Sequence, residues 1–143
     1  MKVRWLVWGL MLVVAVAMST AQESKPEVKH TTAPATSPAS GEEMFKSYCA
    51  SCHGKDGKGD GPAAAALKSA PADLTSLAKK NGGKYPADRV TSVLRGQASL
   101  ASHGSQEMPV WGPVFWKMSQ GHEAVVQQRV VNLTRYIESL QGK

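Results

Sequence analysis

Cys49, Cys52 and His53 stand together in the stretch MFKSYCASCHGKDGKGDGP and include the only two thiols of the 143-residue chain. On a helix, side chains three positions apart point the same way, and an imidazole next to the second thiol adds a strong metal ligand. Each chemistry open to this set makes its own demand on the rest of the sequence. A structural zinc site needs four ligands. The cluster offers three at most, two of them adjacent, and neither His103 nor His122 sits in a second ligand pair. A redox-active CxxC needs its cysteines at the head of a helix behind a strand, in a βαβ setting that this chain lacks. A plain disulfide suits an exported protein but leaves the histidine and the thin core unexplained.

Covalent attachment of a c-type haem uses all three residues, and CxxCH is its signature. The two sulfurs can form thioethers with vinyl groups on neighbouring pyrroles. His53 then meets the iron from one face. Immediately downstream, Gly54 to Pro62 holds five glycines or prolines in nine residues, so it reads as a tight loop. Asp56 and Asp60 in that loop lack the further spaced oxygens of a calcium site.

The elements that must position this cluster read as helices. Ser40 and Glu43 form a capping-box pattern ahead of Met44, Phe45, Tyr48, Cys49 and Cys52, so the first helix carries the cysteines. PAAAALK, starting at Pro62, and PADLTSLAKKNGG, starting at Pro71, predict two brief helices. PADRVTSVLRG predicts a third between Pro86 and Gly96. Residues 97 to 113 read as loop. Val126, Val130, Leu133, Ile137 and Leu140 then mark one apolar stripe on a terminal helix, with Gln128, Arg135 and Glu138 opposite. No period-two run of β-branched residues occurs, so the expected class is all-α.

Composition sets the frame. Lys2 and Arg4 precede an uncharged, largely apolar run from Trp5 to Met18, and small residues follow it to Ala21. As a helix that run would span about 21 Å against a hydrocarbon core of about 30 Å, so residues 1–21 read as an export signal. Left uncleaved, they would be a membrane anchor. Residues 22–40 are rich in Pro, Ala, Ser and Thr and read as a linker or tether. The folded domain is expected over 41–143, in an extracytoplasmic, periplasmic setting. The whole chain carries 17 Lys plus Arg against 11 Asp plus Glu, and without Lys2 and Arg4 the balance is 15 against 11, or +4. The lysines are scattered among acids with no basic helix or aromatic platform, so nucleic-acid binding has no support.

Over nearly all of Gly41 to Gln141 the chain resembles the class I, monohaem cytochrome c family. Gly41 and Phe45 stand eight and four residues before Cys49, and the resemblance implies that they pack on an aromatic of the last helix, which Tyr136 matches. CHGKDGKGDGP resembles the family loop that curls around the haem edge. In the family a loop proline carbonyl accepts the proximal histidine N–H, and Pro62 matches that position. The loop glycines would let backbone approach the macrocycle closely.

The resemblance also implies a methionine on the far face of the iron. Met108, in HGSQEMPVWGPVF, lies 55 positions after His53 and is followed by Pro109 and a Trp-Gly pair, as in the family's distal loop. Met44, Met118 and His103 are its competitors. Trp111 is suited either to packing on the haem or donating to a propionate, or to core packing alone. Arg89, Arg95 and Lys84 are candidate propionate partners among which spacing does not choose. The expectation is one covalent haem c with His53 and Met108 as axial ligands, in a one-electron carrier serving redox protein partners. Membrane contact is expected only through an uncleaved signal. Two alternatives stay open: a small peroxidase-like or gas-binding haem protein with a labile distal ligand, and an accessory subunit of an oxidase or dehydrogenase.

Overall fold

The computed structural model describes residues 33–98 and 110–142. Its regular elements there are all helical: α1 Gly41–Tyr48, α2 Ala50–His53, α3 Leu77–Lys80, α4 Ala87–Arg95, α5 Trp111–Met118 and α6 Glu123–Ser139, with single 3-10 turns at Ala64–Ala66 and Leu74–Ser76. Met108, Pro109, His103 and the signal-like residues 1–21 lie outside the described residues. Among the described residues no helix is long and apolar enough to cross a membrane.

α1 begins where the capping pattern places it, with Ser40 Oγ accepting the Glu43 N–H at 3.1 Å. The return bond of the capping box is redirected: Glu43 Oε2 accepts from Ser37 N–H at 3.1 Å. Such a cap is worth about 1 kcal/mol. The cysteine-bearing helix is not continuous, because Cys49 ends α1 and opens α2 at φ −109°. α4 stops at Gly96, whose φ of 73° is left-handed. The PAAAALK segment makes only a 3-10 turn, and PADLTSLAKK splits into a 3-10 turn followed by the one-turn helix α3.

The terminal helix organises the rest. Val126, Val130, Leu133, Ile137 and Leu140 are all buried, as their spacing predicts, and α1, α4 and α5 pack against α6. At the α1–α6 crossing an added Cβ on Gly41 would overlap the Asn132 carbonyl oxygen and come within 2.8 Å of Tyr136 Cβ. Only glycine lets the two backbones approach so closely. One turn on, the Phe45 and Tyr136 rings meet at 5.3 Å between centroids, the pairing that the family resemblance implies. Behind them Tyr48 stacks on Trp111 at 4.9 Å, and both touch Phe115. Aromatic pairs of this kind add about 0.5–1.5 kcal/mol each beyond the area they bury.

Two expectations are corrected. Residues 111–113, read as the end of a loop, form the first turn of α5; Pro113 is tolerated there because first-turn N–H groups have no helical acceptor. The segment 33–40, read as the end of the linker, is docked on the helices. Thr36 is buried, its hydroxyl lies 2.7 Å from Tyr48 Oη, and it accepts from Arg129 Nη1 at 3.0 Å. Its carbonyl accepts from Arg129 Nη2 at 2.9 Å, the Pro34 carbonyl accepts the Tyr48 hydroxyl at 2.7 Å, and the Pro38 carbonyl accepts from Asn132 at 2.9 Å. Arg129 is a buried cation that meets this strap, the Met44 sulfur and the face of Phe115, 6.0 Å away.

Removing the strap would take away the Arg129 guanidinium's two Thr36 acceptors and the cover over it, charge-assisted hydrogen bonds worth about 1.5–3 kcal/mol each. A chain starting at Gly41 is therefore expected to unfold at clearly lower urea than one starting at Ala33, with Thr36→Val in between. Equal midpoints for the two truncations would refute the docked strap.

Candidate functional site

The cleft lies between α2 and α4. Cys49, His53, Ala72, Leu74, Leu77, Pro86, Val90, Val93, Leu94 and Ile137 line it together with Lys80, Asn81 and Arg89, around a volume of about 400 Å³. That volume is within the range of small-molecule and cofactor sites, and the mainly apolar lining with a few convergent polar groups is their usual chemistry.

Cys49 and His53 enter this lining because α2 is a single turn fixed at both ends. His53 N–H bonds the Cys49 carbonyl at 2.8 Å, and Gly54 N–H bonds the Ala50 carbonyl at 3.0 Å. The carbonyls that a helix end leaves unsatisfied are taken up by the glycine-rich loop as it folds back. Gly59 N–H reaches the His53 carbonyl at 2.8 Å, Gly61 N–H reaches Cys52 at 3.1 Å, and Ala63 N–H reaches Ser51 at 2.8 Å. The loop glycines thus serve close approach to the chain itself rather than lining the cleft. Gly59, at φ 84°, presses against the Pro71 carbonyl so tightly that a Cβ would collide with it.

His53 is buried, and its Nδ1 lies 3.0 Å from the Ala72 carbonyl oxygen. A carbonyl only accepts, so the proton sits on Nδ1, and the tautomer carries its lone pair on Nε2. A metal-ligating histidine is normally oriented in this way by a backbone carbonyl. The acceptor expected from the resemblance was the Pro62 carbonyl, and this is corrected: Pro62 is exposed on the outer part of the loop, and the next proline, Pro71, delivers the neighbouring Ala72 carbonyl instead. The PAD step at 71–73 was the signal for it, since Asp73 caps the turn that follows by accepting from Thr75 N–H at 2.9 Å.

The two thiols are unbridged; Cys49 is buried and Cys52 partly exposed. Burial, with a small contribution from Cys52, pushes the Cys49 thiol up to about 12. A thiol held neutral in this way is a poor thiolate nucleophile and a poor zinc ligand, whereas a thioether carries no charge and suits the apolar setting. Among the described residues no group of three or more His, Cys, Asp or Glu is placed to hold a metal ion.

Several other candidates are placed away from the cleft. Trp111 packs in the aromatic cluster with Tyr48 and Phe115 and is not among the residues lining the cleft. Met44 is fully buried with its sulfur 3.8 Å from Arg129 Nη1, and Met118 lies with its sulfur 3.9 Å from Tyr48 Oη. His122 Nδ1 is held by the Ser119 carbonyl at 2.8 Å. Arg95 is bound to Glu123 at 3.2 Å and to Gln127. Of the three basic residues singled out in the sequence, only Arg89 lines the cleft, and Lys80 and Asn81 join it.

Gly59→Ala is expected to push the 71–73 segment off the loop and loosen the carbonyl that orients His53. The combined clash and left-handed strain should lower stability by about 1–3 kcal/mol. A denaturant midpoint equal to the parent's would show that the contact is not a constraint.

A family model described as Cytochrome C oxidase, cbb3-type, subunit III matches residues 36–126. No curated protein and no solved structure matches the chain.

Proposed function

The chain belongs to the cbb3-type cytochrome c oxidase subunit III family, and from that membership and the cleft beside His53 we propose a single-haem c-type cytochrome that carries one electron at a time. The observation that carries the reading is a buried histidine, its tautomer fixed by the Ala72 carbonyl, lining an apolar cleft together with the first cysteine of a CxxCH motif. The residues present fit the group in donor type, in polarity and in the space between α2 and α4. When bound, haem c supplies an Fe(III)/Fe(II) couple whose potential the protein sets through its axial ligands and its burial.

Each residue has a part in that role. Cys49 and Cys52 would tether the macrocycle through thioethers, and His53 would ligate the iron through Nε2. Leu94, Val93, Val90 and Ile137 keep water from the ring face. The second axial ligand is assigned to Met108 on its sequence setting. In support, Met44, Met118 and His122 are engaged elsewhere, outside the cleft lining. A thioether ligand there would favour Fe(II) and would leave no position open on the iron for peroxide chemistry. Residues 1–21 act as the export signal, which puts the domain on the extracytoplasmic side; retained, they would hold it at the membrane.

The family description favours a second form of the same role, a domain docked in an oxidase complex rather than a free shuttle. Size-exclusion of detergent extracts from the native host separates the two. Elution near the mass of the chain supports the shuttle, and co-elution with a large membrane complex supports the subunit.

Two measurements test the haem reading. Acid-acetone treatment of the purified protein should leave its colour on the polypeptide, because thioethers survive denaturation; a colourless precipitate refutes it. Met108→Ala should lower the potential by about 60 mV or more, which is roughly 1.4 kcal/mol lost from the reduced state, and should speed reaction with peroxide. An unchanged potential and low-spin ferric spectrum would assign the ligand to another residue.

A further inference from the structure

The cleft is apolar in its depth and basic where one turn of chain borders it. Cys49, His53 and Leu94 in the lining are buried, whereas Lys80, Asn81 and Arg89 are exposed. All three come from the α3–α4 connection and its flanks, residues 80–89. Among the described residues no carboxylate belongs to the lining. The ion pairs found among the described residues, Lys46 with Glu42 and Arg95 with Glu123, leave both Lys80 and Arg89 out. Lys80 exerts only a minor pull on Asp73, whose carboxyl is held low chiefly by its hydrogen bond from Thr75. Asn81 is already committed, since its side-chain nitrogen donates to the Lys84 carbonyl at 2.8 Å and braces the turn.

Two cations that form no ion pair among the described residues, both at the edge of a mainly apolar lining, describe a ligand that is apolar over most of its surface and anionic at one edge. Haem has that shape of charge, with two carboxylates on one side of a hydrocarbon ring and the vinyl groups elsewhere on its rim. Resting on the haem reading above, we propose that Lys80 and Arg89 hold the two haem carboxylates. The carboxylate edge then faces the α3–α4 turn while the thioether edge faces Cys49. Asn81 acts as a positioning residue that fixes the turn carrying Lys80. Arg89 can engage a carboxylate with two parallel N–H donors, whereas Lys80 acts as a point charge.

The proposal has an electrostatic readout. A cation beside a carboxylate cancels a negative charge near the iron, and negative charge stabilises the oxidised, more positive state. Removing Lys80 or Arg89 therefore lowers the potential. In the holoprotein, Lys80→Gln with Arg89→Gln should shift the Fe(II)/Fe(III) ratio about tenfold toward Fe(III) at fixed ambient potential, or about 59 mV. Each single change should give part of that shift. The NMR resonances of the propionate methylenes should move in the same variants, and Arg89→Lys should restore most of the parent's potential. Lys84→Gln and Arg95→Gln, outside the lining, are the controls and should stay near the parent. A double variant indistinguishable from the controls overturns the proposal, and so does a drop in potential with the propionate resonances unmoved. A protein without covalent haem overturns this proposal and the functional reading together, whereas a normally ligated haem indifferent to both cations overturns this one alone.

Discussion

The structure depends on one close approach of backbone to backbone, where Gly41 opens α1 against the carbonyl of Asn132 on α6. No side chain separates the helices there, so α1 has little freedom in where it starts, and the Phe45–Tyr136 contact fixes its direction one turn later. Cys49 ends that helix and begins the turn that carries His53. The position of both residues in the cleft is thus inherited from a crossing that lies outside it. Ile137, in the cleft lining, sits on the same α6 stripe that supports the crossing, so core and site share one helix.

Side-chain patterns were legible in the sequence, and backbone groups were not. The α6 stripe, the Ser40 cap and the Gly96 stop follow from period and residue type. The acceptor for His53 is a carbonyl, which every residue possesses, so sequence could offer only a choice among nearby prolines, and the loop path decided for the step after Pro71. The strap at 33–40 was equally hidden. Its residues are small Ala, Pro, Ser and Thr, as a linker's would be, and they dock through the Thr36 hydroxyl and carbonyl on a buried arginine, the Pro38 carbonyl on Asn132 and the Pro34 carbonyl on Tyr48. Hydrophobicity gives no sign of that arrangement, because it is held by hydrogen bonds, two of them to a cation that pattern-reading assigns to the surface.

The helix break at Cys49 illustrates the same limit. The 3.6-residue period continues from Met44 through Cys52, and a continuous helix is the natural reading. The glycine-rich loop instead claims the carbonyls of Ser51, Cys52 and His53, so α2 is one turn long and closed by tertiary bonds rather than by its own continuation. The loop composition showed that a turn was needed, but not that the turn would fold back onto the helix it follows.

The docked strap also decides how the domain bears load. The strap is anchored at Thr36, which is bonded to Arg129 on α6 and to the hydroxyl of Tyr48. A pull on the strap would therefore reach hydrogen bonds to α6 and α1 before it reached the cleft lining at α3 and α4. The domain is built like a lamp hung from its frame: tension on the cord reaches the bracket, and the bulb's socket stays still.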